Sequence, residues 1–135
     1  MATGNKFNSF VEALAEKVHN LGSDTLKVAL TNSAPVATNT VLANITEVSY
    51  TNLSSRTLSV SASSQTSGTY KLVISDLVLT ATGAVGPFRY VVIYNDTATN
   101  DELIAWYDIG SSVTMANTDT VTLDFDGTNG FIQLT

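Results

Sequence analysis

Gly86-Pro-Phe-Arg-Tyr-Val-Val-Ile-Tyr-Asn95 and its return, Leu103-Ile-Ala-Trp-Tyr-Asp-Ile109, decide the fold. In an extended chain successive side chains point to opposite faces. Phe88, Tyr90, Val92 and Tyr94 therefore share one face, and Arg89, Val91 and Ile93 the other. Both faces are apolar, as they are again in the return through Ile104, Trp106 and Tyr107. A strand that is apolar on both faces needs cover on both, which predicts a hairpin at the heart of a sheet. Asn95 to Asp101 supplies turn residues for its tip.

Working outward, the period-2 pattern recurs. Leu26, Val28 and Leu30 alternate with polar residues, as do Leu58, Val60 and Ala62. Asn32 to Asn44 is a polar connection broken by Pro35, and a further strand is expected around Ile45 to Tyr50. Gln65 to Gly68 reads as a turn. Tyr70, Leu72 and Ile74 open a long strand continued by Leu77 and Leu79, with a β-bulge at Ser75–Asp76 to restore the register. Val121, Leu123 and Phe125 follow. Asp126-Gly127 and Asn129-Gly130 then read as hairpin turn residues before Phe131 to Leu134.

One helix precedes the strands. Phe7, Phe10, Val11, Leu14, Val18 and Leu21 fall on one stripe, Ser9 and Glu12 have capping-box spacing, and Gly22 supplies a stop. The pattern predicts a single domain over 1–135: a flexible arm at 1–7, a helix from Asn8 to Leu21, and a body at 25–135. With no helix between strands, the expected fold is mainly β. It is an antiparallel β-sandwich, jelly-roll-like or a flattened barrel, with one N-terminal α-helix.

Composition narrows the function. Ser, Thr and Asn make up a third of the 135 residues, charged residues only 13%, and the net charge is −6. The six basic residues, Lys6, Lys17, Lys27, Arg56, Lys71 and Arg89, are scattered, which excludes the clustered cations that nucleic acid requires. No apolar run is long enough to span a membrane, and Met1 to Lys6 has no signal-peptide core. There is no cysteine and one histidine, so a thiolate metal site is excluded and a zinc site would need carboxylates alone. The chain reads as a non-enzyme without a cofactor or metal.

Each remaining group has a plain reading. His19 near the helix end suits a C-terminal cap. Asp124 to Gly130 fails the calcium-loop spacing, since Asn129 stands where the loop glycine belongs. Asp96, Asp101, Glu102 and Asp108 gather around the hairpin, most of them at its tip. Arg89, in a strand, either snorkels from an edge or bridges to a carboxylate across a subunit boundary. Tyr50, Tyr70, Tyr90, Tyr94, Trp106 and Tyr107 are core aromatics or a stacking face for sugar. Three sequons, at Asn44, Asn52 and Asn95, are expected by chance in so Asn- and Thr-rich a chain.

The stretch Lys6-FNSFVEALAEKVHNLGSDTLKVALTNSAPVATNTVL, with Gly86-PFRYVVIYND, WYDIGSSVTM and VTLDFDGTNGFIQLT, resembles a family of small structural proteins of tailed bacteriophages, some of them head decoration or cement proteins. The likeness spans nearly the whole chain and brings no catalytic residues. It implies a virion protein assembled in the host cytoplasm, bound to the major capsid protein and to copies of itself, as a homotrimer. The candidate subunit or shell interface is Lys6, Phe7, Arg89, Tyr94, Trp106 and Tyr107. A tail component (tube, terminator or baseplate) and a carbohydrate-binding module for host recognition are the alternatives.

Overall fold

A computed structural model describes residues 4–135; residues 1–3 of the expected arm lie outside them. The strands are β1 (Gly4–Lys6), β2 (Leu26–Thr31), β3 (Val60–Thr66), β4 (Thr69–Ile74), β5 (Leu77–Thr80), β6 (Val85–Asn95), β7 (Leu103–Met115), β8 (Thr120–Leu123) and β9 (Ile132–Leu134). They pair antiparallel in three sheets, ordered β1-β7-β6-β2, β3-β4-β9 and β5-β8. With the α-helix α1 (Ser9–Ala15) and a 3₁₀ turn at Leu42–Asn44, the fold is mainly β and sandwich-like, as the alternation predicts.

The β6–β7 hairpin is the centre. Its inward face, with β2, joins Val28, Leu30, Phe88, Val91, Ile93 and Ile104 to Leu72 and Ile74 of β4 and Leu79 of β5 in one buried cluster. The outward face carries a second cluster of Phe7, Ala29, Val92, Tyr94 and Leu103. It is covered by Leu42 and Ile45 from the long β2–β3 connection and by Trp106. The double-faced apolar pattern is thus satisfied within one chain. The helix takes part through Phe10, buried in the inward cluster, with Leu14 packed against it.

One face assignment changes. Register shifts between Phe88 and Tyr90 turn Phe88 inward beside Val91 and Ile93, rather than outward with Val92 and Tyr94. The extra residues lie on β7, five steps from Asp108 to Val113 against two from Tyr90 to Phe88, so the regular ladder is interrupted there.

Further expectations give way. The helix ends at Ala15, not Leu21. Lys17 takes a left-handed φ of 68°, Val18 N–H bonds to Ala13 O (2.8 Å) and Lys17 N–H to Leu14 O (3.4 Å). This is a Schellman stop, with lysine at the position usually held by glycine. It frees His19 and Leu21 to turn into the interior, where both are buried. The capping box is absent too, since Asn8 occupies the N-cap without a side-chain bond.

The arm is not free over its described part, because Gly4–Lys6 forms β1 against Ala105–Tyr107. No strand forms at Ile45–Tyr50. That segment instead serves the outer edge of β2: Val48 N–H bonds to Leu30 O, and the Tyr50 hydroxyl accepts from Leu30 N–H. Finally, the slip at Ser75–Asp76 is a change of sheet. β4 belongs with β3 and β9, whereas β5 pairs β8. Asp76 marks the crossing by accepting from Phe125 N–H (2.9 Å).

The Asp126–Gly130 turn likewise joins strands of different sheets and closes no hairpin. Val60 and Ala62, expected to face the core, are exposed in a β3 that is exposed throughout.

Candidate interaction site

The long β2–β3 connection closes the outward face of the main sheet; an apolar surface stays open at another border. β1, α1, β9 and the start of β7 enclose a groove of about 540 Å³. Phe10, Ile104, Tyr107 and Phe131 lie along it, and Val11 and Leu134 stand at its rim, 51% and 45% exposed. Val11 belongs to the helical stripe, but a helix of two turns resting on a sheet border buries only Phe10 fully. Gly4 lies flat on the Tyr107 ring: a Cβ there would stand 3.0 Å from Cε1. Tyr107 meets Phe125 and Phe131 at 6.1 and 6.3 Å between ring centres, and burial pushes its hydroxyl pKa up to about 12. It is therefore a neutral, apolar element at pH 7.

Of the six interface candidates, Lys6 and Tyr107 meet at this groove. Phe7 and Tyr94 are 0% and 3% exposed in the outward cluster, and Trp106 packs on Phe7 at 4.6 Å. Phe7 and Tyr94 thus serve the chain's own core, and Trp106 packs against it half-buried. Arg89 grips Asp108 on the neighbouring strand through two bonds, Nε to Oδ1 (2.8 Å) and Nη2 to Oδ2 (3.0 Å). The pair lies within one chain, between neighbouring strands, with both side chains partly exposed. The bond to Asp108 raises the Arg89 pKa. Asp108 is held below the usual carboxylate range by Arg89 and then by the Gly110 amide. Val11 and Leu134 were not singled out by sequence; their signal is apolar character at positions where a short helix and an edge strand cannot bury it.

His19 is 4% exposed and caps no helix. Asn95 fixes its state. Asn95 Oδ1 accepts from Thr97 and Ala98 N–H, so the amide nitrogen faces Asp24 Oδ2 (2.7 Å) and His19 Nδ1 (2.9 Å) as a double donor. Nδ1 must therefore carry the lone pair, and the proton sits on Nε2, which is buried without a partner. Burial lowers the His19 pKa, against the opposing pull of Glu102 and Asp24. A cationic cap is thus replaced by a neutral, interior imidazole.

The hairpin tip is acidic but internally engaged. Lys27 pairs with Asp96 (3.2 Å), and the Asp101 pKa is raised by burial first, then by Asp96 and Glu102. Asp126 spends its carboxylate on Thr128 and Asn129, as a turn residue does. Among the described residues no three His, Cys, Asp or Glu side chains converge in a metal-holding arrangement. The aromatics are divided: Tyr50, Tyr70 and Tyr107 pack against the inward cluster, Tyr94 and Trp106 in or against the outward one. Comparison with known proteins finds no family model, curated protein or solved structure that matches the chain.

Proposed function

We propose that this chain is a structural protein of the tailed-phage virion, a head decoration protein that seats on the outer shell and stabilises it by contact alone. The resemblance of the Lys6–Leu42, Gly86–Asp96 and C-terminal stretches supports the reading. The observation that carries it is the α1–β9 groove: an open apolar strip on a body whose central sheet is already covered on both faces. Apolar rim residues on a small, stiff body suit docking onto another protein, and many weak copies on a repeating shell add their affinities. The major capsid protein is the partner so addressed, and no bond is made or broken.

Cryo-electron microscopy of particles carrying the chain tests this. The expected result is density for the sandwich on the outer head, with α1 and β9 toward the shell. Val11→Asp combined with Leu134→Asp should leave the monomer folded and strip that density. Density confined to the tail would overturn the head assignment, and saturable glycan binding by the free chain would favour host recognition instead.

A further inference from the structure

Sheet edges are where one chain recruits another, because unpaired N–H and C=O groups there can add a strand. In this molecule most edges are guarded. The outer edge of β2 is bonded by Val48, Arg56 and Leu58, and β5 is met by Ser54 N–H on Thr80 O. β1 and β9 are three residues each. The far half of β7 is broken: Tyr90 pairs with Asp108 and Phe88 with Val113, so a bulge around Gly110 (φ 104°) interrupts it.

β3 is different. It pairs β4 on one side only, and all seven of its residues are exposed. After the irregularity between Val60 and Ala62, five consecutive pairs run without a break from Ala62–Val73 to Thr66–Thr69. Ala62-Ser-Ser-Gln-Thr66 contains neither charge nor proline, the usual guards of an edge. The two-residue turn Ser67-Gly68 closes on Thr66–Thr69, so ladder alternation directs the amides of Ser63 and Gln65 away from β4.

We propose that β3 pairs antiparallel with β3 of a second copy, about a two-fold axis at Ser64, to make a six-stranded sheet β9-β4-β3-β3-β4-β9. A second copy presents the same uncharged edge, Ala62–Thr66, in a register that matches this one residue for residue. Each chain carries −6, so copies repel over most of their surface, and this uncharged edge is where they can approach. The nearest charge on the sheet is Lys71, opposite Ser64 on β4. Across the axis two such lysines stand three strand spacings apart, roughly 14 Å, beyond the screening length of about 8 Å at physiological salt. The register is self-complementary: Ser63 meets Gln65 of the other copy as a hydrogen-bonded pair, and Ser64 meets Ser64. An isologous contact of this kind closes at two and differs from the homotrimer implied by the resemblance.

The chain has no cysteine, so a single introduced thiol reports the contact cleanly. Antiparallel partners lie about 4.5–5.5 Å apart at Cα, within disulfide reach. Under mild oxidation, full-length Ser64→Cys should form covalent dimers at least about ten times faster than Ser111→Cys on the bulged β7 edge, because pairing raises the effective concentration. Adding Gln65→Lys to Ser64→Cys should slow that cross-linking by about the same factor, since two like charges then approach the axis. Light scattering on the unmodified chain should show a monomer–dimer mass that rises with concentration. Equal cross-linking rates, indifference to Gln65→Lys, a mass that stays monomeric, or a trimer unaffected by Gln65→Lys would each overturn the proposal. None of these results bears on where the chain sits in a particle, so the virion reading stands or falls separately.

Discussion

The β1-β7-β6-β2 sheet and the β3-β4-β9 sheet use the same alternating grammar to opposite ends. In the first, both faces of β2 and β6 are interior, one against the other sheets and one against the chain's own Phe7, Leu42 and Ile45. In the second, Leu72 and Ile74 face inward while β3 is exposed along its length. Two-sided burial makes the first sheet the store of stability. One-sided burial leaves the second, with the neighbouring α1–β9 groove, as surface available to other molecules. The division implies that residues of β3 and of the groove can be changed without unfolding the body.

Substitutions should expose that division. The largest effect is expected at Phe88, wholly buried in the inward cluster: Phe88→Ala should cost about 3–5 kcal/mol in urea denaturation, the range for emptying a large aromatic site. Next comes Asn95, also wholly buried. Asn95→Ala strands the Thr97 and Ala98 amides and one Asp24 oxygen contact, and should cost about 1–3 kcal/mol.

A third, smaller effect depends on pH. The folded His19 pKa lies below its ordinary 6.5, chiefly because of burial, so the folded state binds fewer protons than the unfolded state in the window below 6.5. The stability contribution is full above that value and declines as pH falls toward 5, by no more than about 1.4 kcal/mol per pH unit for one proton. A protonated Nδ1 would also point at the Asn95 amide donor. Denaturation midpoints at pH 7.5 and 5 should therefore differ more in the unmodified chain than in His19→Leu. The smallest effect is expected on β3, where Ser64→Lys, measured at a concentration at which the chain is monomeric, should change stability by less than about 0.5 kcal/mol. A loss there as large as at Phe88 would erase the distinction between the two sheets.

The central hairpin was legible because few sequences are apolar on both faces of two adjoining runs, and burial on both sides is their physical consequence. What covers the second face was not legible. Leu42 lies in a polar, proline-broken connection and Ile45 opens a segment expected as a strand; no local period marks the long-range role of either. The helix end was missed because its stop is Lys17 in a left-handed conformation, a backbone choice made for tertiary reasons, while the more conventional Gly22 stands too late. Face assignments failed where the ladder is interrupted, at Phe88, and where a strand changed sheets, at Ser75–Asp76. Among interface candidates, the large aromatics Phe7 and Tyr94 are buried, and Trp106 packs half-buried on Phe7. Only Lys6 and Tyr107 meet the groove, and its exposed aliphatics Val11 and Leu134 look in sequence like ordinary core residues.

Hydrogen exchange on the free chain and on the chain bound to purified phage shells tests the proposed contact most directly. Slowed exchange confined to α1, β1 and β9, with β6 equally protected in both states, is the result expected of docking through the groove. Unchanged exchange across α1 and β9 on a shell-bound chain would contradict it.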